Sequence, residues 1–322
     1  MNGWRPSSRP DAARRRAELL DRARDHFATH DVLAVDAPSL SRFAGSDTNI
    51  DSFAVRSMTG QELYLHTSPE FRMKRLLADG YPDIYSICRV YRDGESGRQH
   101  LPEFTMIEWY RHDFDLGMII ADATALIASC LDATLLSTNA LTLEYRDAFA
   151  KYADIDVFTA TDEELAGCAG ADQQLRQAVG ADRDAWLDLI LTSVVIPQLP
   201  PDQMTVLQHF PASKAALARL CPHDQRVADR FEVFMRGLEL ANGCVELSDV
   251  EEQRRRINQD LTRRRDGNRA VLPPDKHFLH ALEAGLPDCA GVAVGVERLQ
   301  MILDQTEDIR NVVTFAFEDD DD

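Results

Sequence analysis

The chain has 322 residues, 44% of them apolar and 28% charged, which is a globular composition long enough to bury a sizeable core. A net charge of −19 excludes a broad nucleic-acid surface, since such surfaces cluster Lys and Arg to displace counterions. No apolar run approaches the roughly 20 residues of a membrane span, and the N-terminus lacks the apolar core of a signal peptide.

The six cysteines show no Cys-x-x-Cys spacing and read as reduced thiols of a cytoplasmic protein rather than as zinc ligands. In chain order, Pro10 to His30 predicts an amphipathic helix with Ala13, Ala17, Leu20 and Phe27 inward. Arg14, Arg15, Arg16, Arg22 and Arg24 then form a solvated face. Val32 to Ser41 is a short extended segment stopped by Pro38, and Val55 to Leu65 alternates as a hairpin. Thr67-Ser68-Pro69-Glu70 opens a helix that runs to Asp79, with Thr67 or Ser68 as its cap.

Ile84 to Tyr91 and Phe104 to Tyr110 read as strands, rich in β-branched and aromatic residues. The loop between them carries Arg92, Asp93, Gly94, Glu95, Arg98 and His100. Arg92 and Arg98 can fork onto phosphate oxygens, Phe104 offers a flat face to a base, and Glu95 can accept from an exocyclic amine. A charged surface hairpin with one buried Phe is the alternative. Asp113 to Cys130 is helical, and about 147–200 is a mainly helical insertion in which nothing suggests chemistry. Met204 to Phe210 returns as a strand, followed by a helical turn at Pro211 to Lys214.

Arg230 to Leu247 predicts a hairpin turning at Arg236-Gly237, which sets Glu239 opposite Phe234 with Glu232 diagonally across on the same face. Two carboxylates so placed repel unless a cation lies between them, and a magnesium bridging triphosphate oxygens suits that position. Exposed carboxylates at a sheet edge are the alternative. Asn242-Gly243 permits a bulge, and Glu246 brings a third acid. Ser248 to Leu282 holds a long helix with arginines from Arg254 to Arg265, either a solvated face or a dock for an acidic partner. Residues 318–322 form an acidic tail expected to be disordered.

Several of these stretches share one likeness. Cys88 to Arg111, whose loop closes on His100-Leu101-Pro102-Glu103-Phe104-Thr105, resembles motif 2 of class II aminoacyl-tRNA synthetases, nearest the lysyl branch. Gly291 to Leu303 is similar to motif 3, a Gly-rich strand entering a helix that starts with Glu297 and Arg298. Val32 to Ser41 resembles motif 1, the dimer segment of that class. The resemblance implies an α+β fold, an antiparallel β-sheet flanked by helices, with 1–322 as a single catalytic domain. It also implies a homodimer, ATP and Mg2+.

Carried over by motif, Arg92 stabilises the α-phosphate and Arg298 the γ-phosphate, as the catalytic residues. Asp93, Gly94, Glu95, His100, Phe104, Glu239, Leu240 and Gly295 complete the ATP site, with Phe104 stacking on adenine against Arg298. Here the acid that usually follows the arginine by two falls one residue late, at Glu95. Glu232 and Glu239 hold the metal. Ser68, Pro69 and Glu70 resemble the loop that admits the amino acid, and the E-L-A-N-G-x-x-E-L run at 239–247 resembles the lysyl branch. Asn242 then contacts the backbone end of the amino acid, Glu246 pairs with the side-chain ammonium, Tyr110 shares it, and Ala293 lies beneath the pocket.

The whole chain resembles the short lysyl-tRNA-synthetase-like ligases that attach (R)-β-lysine to a lysine side chain of elongation factor P. The catalytic pattern starts within the first 40 residues, leaving no anticodon reader, and with the acidic charge this argues against tRNA as acceptor. Glu108 to Arg111, Phe210 to Ser213 and Ala293, where synthetases commonly have glycine, fit those ligases. Two alternatives stay open: a free-standing adenylate-forming enzyme with lysine and another acceptor, and a non-catalytic amino-acid-binding paralogue.

Overall fold

The computed structural model describes residues 5–131 and 139–317, so the acidic 318–322 run lies outside the described residues. In chain order the elements are α1 (Pro10–Thr29), β1 (Leu33–Ala34), β2 (Leu40–Ser41), β3 (Ala54–Arg56), β4 (Glu62–Leu65), α2 (Glu70–Ala78), β5 (Ile84–Tyr91), β6 (Glu103–His112) and α3 (Leu116–Cys130). The middle of the chain gives β7 (Leu141–Glu144), α4 (Tyr145–Ala153), α5 (Asp162–Cys168), α6 (Gln173–Val179), α7 (Arg183–Ile190) and β8 (Thr205–Gln208). The remainder gives β9 (Leu220–Cys221), β10 (Asp224–Ala228), β11 (Arg230–Met235), β12 (Leu238–Val245), α8 (Val250–Asp266), α9 (Lys276–Gly285), β13 (Cys289–Gly295) and α10 (Val296–Leu303).

Among the described residues the main sheet has eight strands in the order β1-β5-β6-β13-β12-β11-β8-β7. The expected antiparallel sheet flanked by helices is there, in the six strands from β5 to β8, and a parallel pair is added at each edge. Because side chains alternate along each strand, Ile107, Trp109, Val292 and Val294 face one side and Phe104, Glu108, Tyr110 and Ala293 the other. The first side is closed by α1, α3 and α10 around a core that includes Leu19, Phe27, Ile119, Leu126 and Leu299. The second side is left to the cleft.

Two local expectations are corrected. The buried stripe of α1 is Ala12, Leu19, Ala23, His26 and Phe27; Leu20 packs partly buried against the core as expected, whereas Ala13 is only half-buried and Ala17 is exposed, because the arginine face is not free to turn outward. Arg16 bonds Thr105 (2.7 Å) and Glu297 (2.8 Å), and Arg15 pairs with Asp304, which rotates the helix toward them. The β11–β12 turn has Arg236 and Gly237 both at positive φ (50° and 74°), and the register sets Phe234 opposite Glu239 as expected. The irregularity, however, falls at Leu240, between the pairs Val233–Ala241 and Phe234–Glu239, while Asn242 and Gly243 lie in the regular ladder. Gly243 serves close packing instead: a Cβ there would meet the Phe231 ring at 2.6 Å and Gly291 O at 2.8 Å.

The arginines of α8 are largely committed within the protein. Arg264 is buried and reaches the carbonyls of Ala270 and Asp47 and the carboxylate of Asp51. Arg256 holds the carbonyls of Ala216 and Ala218, and Arg254 pairs with Glu283. The helical segment α4–α7 builds its own apolar cluster around Phe149, Leu165, Trp186 and Ile190, joined by Phe210 and Phe234 from beside the sheet.

Candidate active site

Two ladder rows cross four strands on the open face of the sheet. Glu108 of β6, Ala293 of β13, Asn242 of β12 and Glu232 of β11 are successive partners. In the next row Tyr110, Gly291, Cys244 and Arg230 stand in the same relation. Cross-strand partners share a face. All eight line a cleft of about 1530 Å³. Phe104 and Tyr110, six residues apart on β6, mark its length at roughly 20 Å.

One end is cationic and half open. Arg92 lays its guanidinium over Phe104, 5.1 Å from the ring centroid. Its buried Nε has no partner, and one terminal nitrogen is 3.7 Å from Glu95. Arg298 donates to the Glu239 carbonyl (2.9 Å), sits 3.4 Å from its carboxylate, and donates to His100 Nε2 at 2.8 Å. Burial, then the charge of Arg298, lowers the His100 pKa, which keeps the ring neutral and able to accept that bond. Arg98 is turned away to Glu307 (2.8 Å), so it does not join Arg92.

The other end is dry. Glu246 pairs with the Lys74 ammonium at 2.5 Å, both side chains almost wholly buried, and Lys74 also holds Glu70 at 2.6 Å. Glu246, expected to receive the substrate's ammonium, is thus paired with an ammonium of the chain itself. Burial alone would lower the Lys74 pKa, but Glu246 and Glu70 outweigh it and the net direction is upward. Tyr110 donates to Glu108 (2.7 Å), and Ser68 donates to the same carboxylate (2.6 Å) while accepting from the Glu70 amide. Burial, and then the charge of Glu70, pushes Glu108 up to about 8, and burial raises Glu246 to about 7. At Gly291 a Cβ would lie 2.4 Å from Tyr110 and 2.6 Å from Glu246, so only glycine lets those two groups converge.

Between the ends, Glu232 accepts from Arg230 (2.5 Å) and Asn242 (3.1 Å), both on Oε1. Burial and the charge of Glu239 raise Glu232 to about 7. The two carboxylates are neighbours as expected, but arginines already temper both, Arg230 at Glu232 and Arg298 at Glu239. Their hard oxygen donors fit a Mg2+ that would arrive with phosphate oxygens.

Ser68, Glu70, Glu95, Asn242, Ala293 and Gly295 also line the cleft, and so does Leu240, whose side chain packs into the core. Asp93, Gly94 and Pro69 are not brought to its wall. Asp93 is tied through its backbone to Asp51 (2.9 Å), Gly94 makes a positive-φ turn, and Pro69 stands just before α2 while the hydroxyl of Ser68, one of the expected caps, accepts from the Glu70 amide. Sequence reasoning missed Glu108, Lys74 and Arg230 as functional groups. A Glu inside a strand whose same-face neighbours are Met106 and Tyr110 was the available signal for the first. It also found no chemistry in the insertion, yet α7 reaches the cleft: Asp188 binds Lys214 and Asp184 binds Ser213, each at 2.6 Å. Away from the cleft, His209, Cys221 and Asp229 bring donor atoms within 4.8 Å of one another. Donating to the carboxylates of Asp229 and Glu144 raises His209 to about 10, and Asp229 also accepts from Arg219 at 2.8 Å.

The family model for tRNA synthetases class II (D, K and N) matches residues 4–319. The chain is 40% identical over 322 residues to a protein of Edwardsiella ictaluri named elongation factor P–(R)-β-lysine ligase, covering 98% of each. Proteins with the same name from Haemophilus influenzae (38%, 321 residues) and Pseudoalteromonas translucida (40%, 328 residues) are likewise covered over 98% of each chain.

Proposed function

The chain belongs to the class II tRNA synthetase family (D, K and N), and from that premise we propose that it activates (R)-β-lysine, or lysine, with ATP and passes the aminoacyl group to a lysine side chain of elongation factor P. It is an ATP-dependent amino-acid ligase. The observation that carries the reading is the pairing of a phosphate-suited cationic end with a dry carboxylate–tyrosine end on one sheet face.

The substrate carboxylate attacks the α-phosphorus of ATP. A new O–P bond forms, the bond to the β-phosphate oxygen breaks, and pyrophosphate leaves. The acceptor lysine amine then attacks the adenylate carbonyl, an amide forms and AMP departs. No side-chain nucleophile takes part, so positioning and charge do the catalysis. Arg92 takes the α-phosphate, Arg298 and His100 the outer phosphates, and Phe104 the base. Glu232 and Glu239 would hold Mg2+, which supplies positive charge to the phosphate oxygens. Asn242 and Ser68 orient the amino acid, whose side-chain ammonium lies against Glu246 and Tyr110. A neutral side chain there would leave the excess of buried carboxylate, Glu108 and Glu246 against the single Lys74, without a second cation.

Ala293 sits in the floor row between Glu108 and Asn242, where its methyl would disfavour α-lysine and suit an amine one carbon further along. The net charge of −19 favours a protein acceptor over tRNA. In the segment resembling motif 1, Leu33 and Leu40 are 46% and 48% exposed, which suits a homodimer. We read the chain as one catalytic domain with the α4–α7 segment inserted. No helix among the described residues is long and apolar enough to cross a membrane, and all six cysteines are free, which suits a cytoplasmic setting.

The test is ATP–pyrophosphate exchange with α-lysine and with β-lysine, followed by labelled transfer to elongation factor P or to tRNA. Exchange with a lysine isomer and transfer to the protein alone is the expected outcome. Labelling of tRNA, or no exchange with either isomer, overturns the proposal.

A further inference from the structure

Gln253 is 1% exposed and lines the cleft, yet neither its amide oxygen nor its amide nitrogen has a hydrogen-bond partner. A buried amide left unanswered costs free energy that a methionine in its place would not. Other unpartnered buried atoms lie at the cleft too, but Arg92 Nε belongs to the phosphate end and Glu246 has Lys74.

The position of Gln253 places it at the dry end. It lies in the opening turns of α8, which starts four residues beyond Glu246, and its backbone N–H is spent on Asp249 O (3.0 Å). Val250 and Ile257, three before and four after it on the same helix face, pack with Met73, Leu77, Tyr110 and Phe278. Lys74, buried on α2 with its Nζ 5.8 Å from the centre of the Phe278 ring, pairs with Glu246 in that same layer.

A primary ammonium brings three donors and no acceptor, and one carboxylate does not use them all. We infer that the Gln253 amide carbonyl accepts a hydrogen bond from the side-chain ammonium of the bound diamino acid, beside Glu246. Gln253 thereby reads that the side chain ends in an amine and not a methyl. This assignment rests on the function proposed above and deepens it: the residue sets specificity and stands outside the phosphate chemistry.

The experiment compares Gln253→Met, close in shape and apolar, with the unmodified enzyme in ATP–pyrophosphate exchange. KM for the preferred lysine isomer should rise about 10-fold while KM for ATP stays within about twofold, since one lost hydrogen bond to a charged group is worth roughly that much. The preference for that isomer over 2-aminohexanoic acid, which ends in methyl, should narrow by a similar factor. A structural role would weaken both substrates alike. The melting temperature of the ligand-free variant should hold or rise, because the variant no longer buries an unanswered amide. An unchanged KM with an active parent enzyme overturns the assignment, and so does a lower ligand-free melting temperature. A parent enzyme inert toward both lysine isomers overturns this assignment and the proposed function together, which separates the two failures.

Discussion

The two ends of the cleft solve opposite problems. At the phosphate end Arg92, Glu95, Arg298 and Glu239 keep 22–38% of their side-chain surface, and their pairings run from 3.4 to 3.7 Å. Such loose pairs in contact with water exchange readily for a polyanion. At the amine end Lys74 and Glu246 keep 1% and 3% and meet at 2.5 Å. Desolvated charge is held there in fixed positions, where a mismatch is expensive. On the function proposed, the difference assigns the half-open end to admitting a ligand and the dry end to refusing the wrong one.

The sharpest way to break this contrast is at Lys74. Lys74→Met strands Glu246 and Glu70, and we expect about 3–5 kcal/mol lost from stability in chemical denaturation. Arg92→Ala should instead leave the denaturation midpoint almost unmoved and slow pyrophosphate exchange by about 10²–10³-fold. If Arg92→Ala unfolded the protein while Lys74→Met did not, the two ends would have been assigned the wrong way round. Next in size, Gly291→Ala forces a methyl between Tyr110 and Glu246. Overpacking there should cost about 1–3 kcal/mol and raise KM for the amino acid more than for ATP.

A pH series sharpens the contrast further. Glu108 and Glu246 are raised to about 8 and about 7, so the folded empty protein binds protons that the unfolded chain has released. Their contribution to stability is complete below the unfolded carboxylate pKa of about 4.3 and is lost as pH rises through 7 and 8. Affinity for a side-chain ammonium moves the other way, because only the ionised carboxylates pair with it. KM for the lysine substrate should therefore fall as pH rises through that window, and Glu108→Gln should flatten both trends. Smallest, Ala293→Gly should gain activity with α-lysine, read as a shift in the ratio of the two isomers; an unchanged ratio counts against the role given to its methyl.

The strand–loop–strand part of the cationic end was legible in the sequence because it is local, while Arg298, 206 positions beyond Arg92, was reached only through the resemblance of its own motif. Two strands with a basic loop between them, and a hairpin whose turn residues fix the Phe234–Glu239 register, are written in runs of about twenty residues. Period two then places Phe104 and Tyr110 on one face. The dry end is assembled from far apart: Lys74 and Glu246 are 172 positions from one another, and no local pattern announces a pair like that. The α1 face was misjudged by about one residue because helical periodicity counts apolar side chains, whereas Arg15 and Arg16 are held inward by Asp304 and Glu297.

The two ladder rows that floor the cleft draw one residue from each of four strands. A single strand slipped by one position would offer Ile107 or Val292 in place of the working side chain. On the function proposed, a chain with one strand out of register would present an incomplete site and would not form adenylates. Strand register acts as a proofreader of the enzyme's own folding.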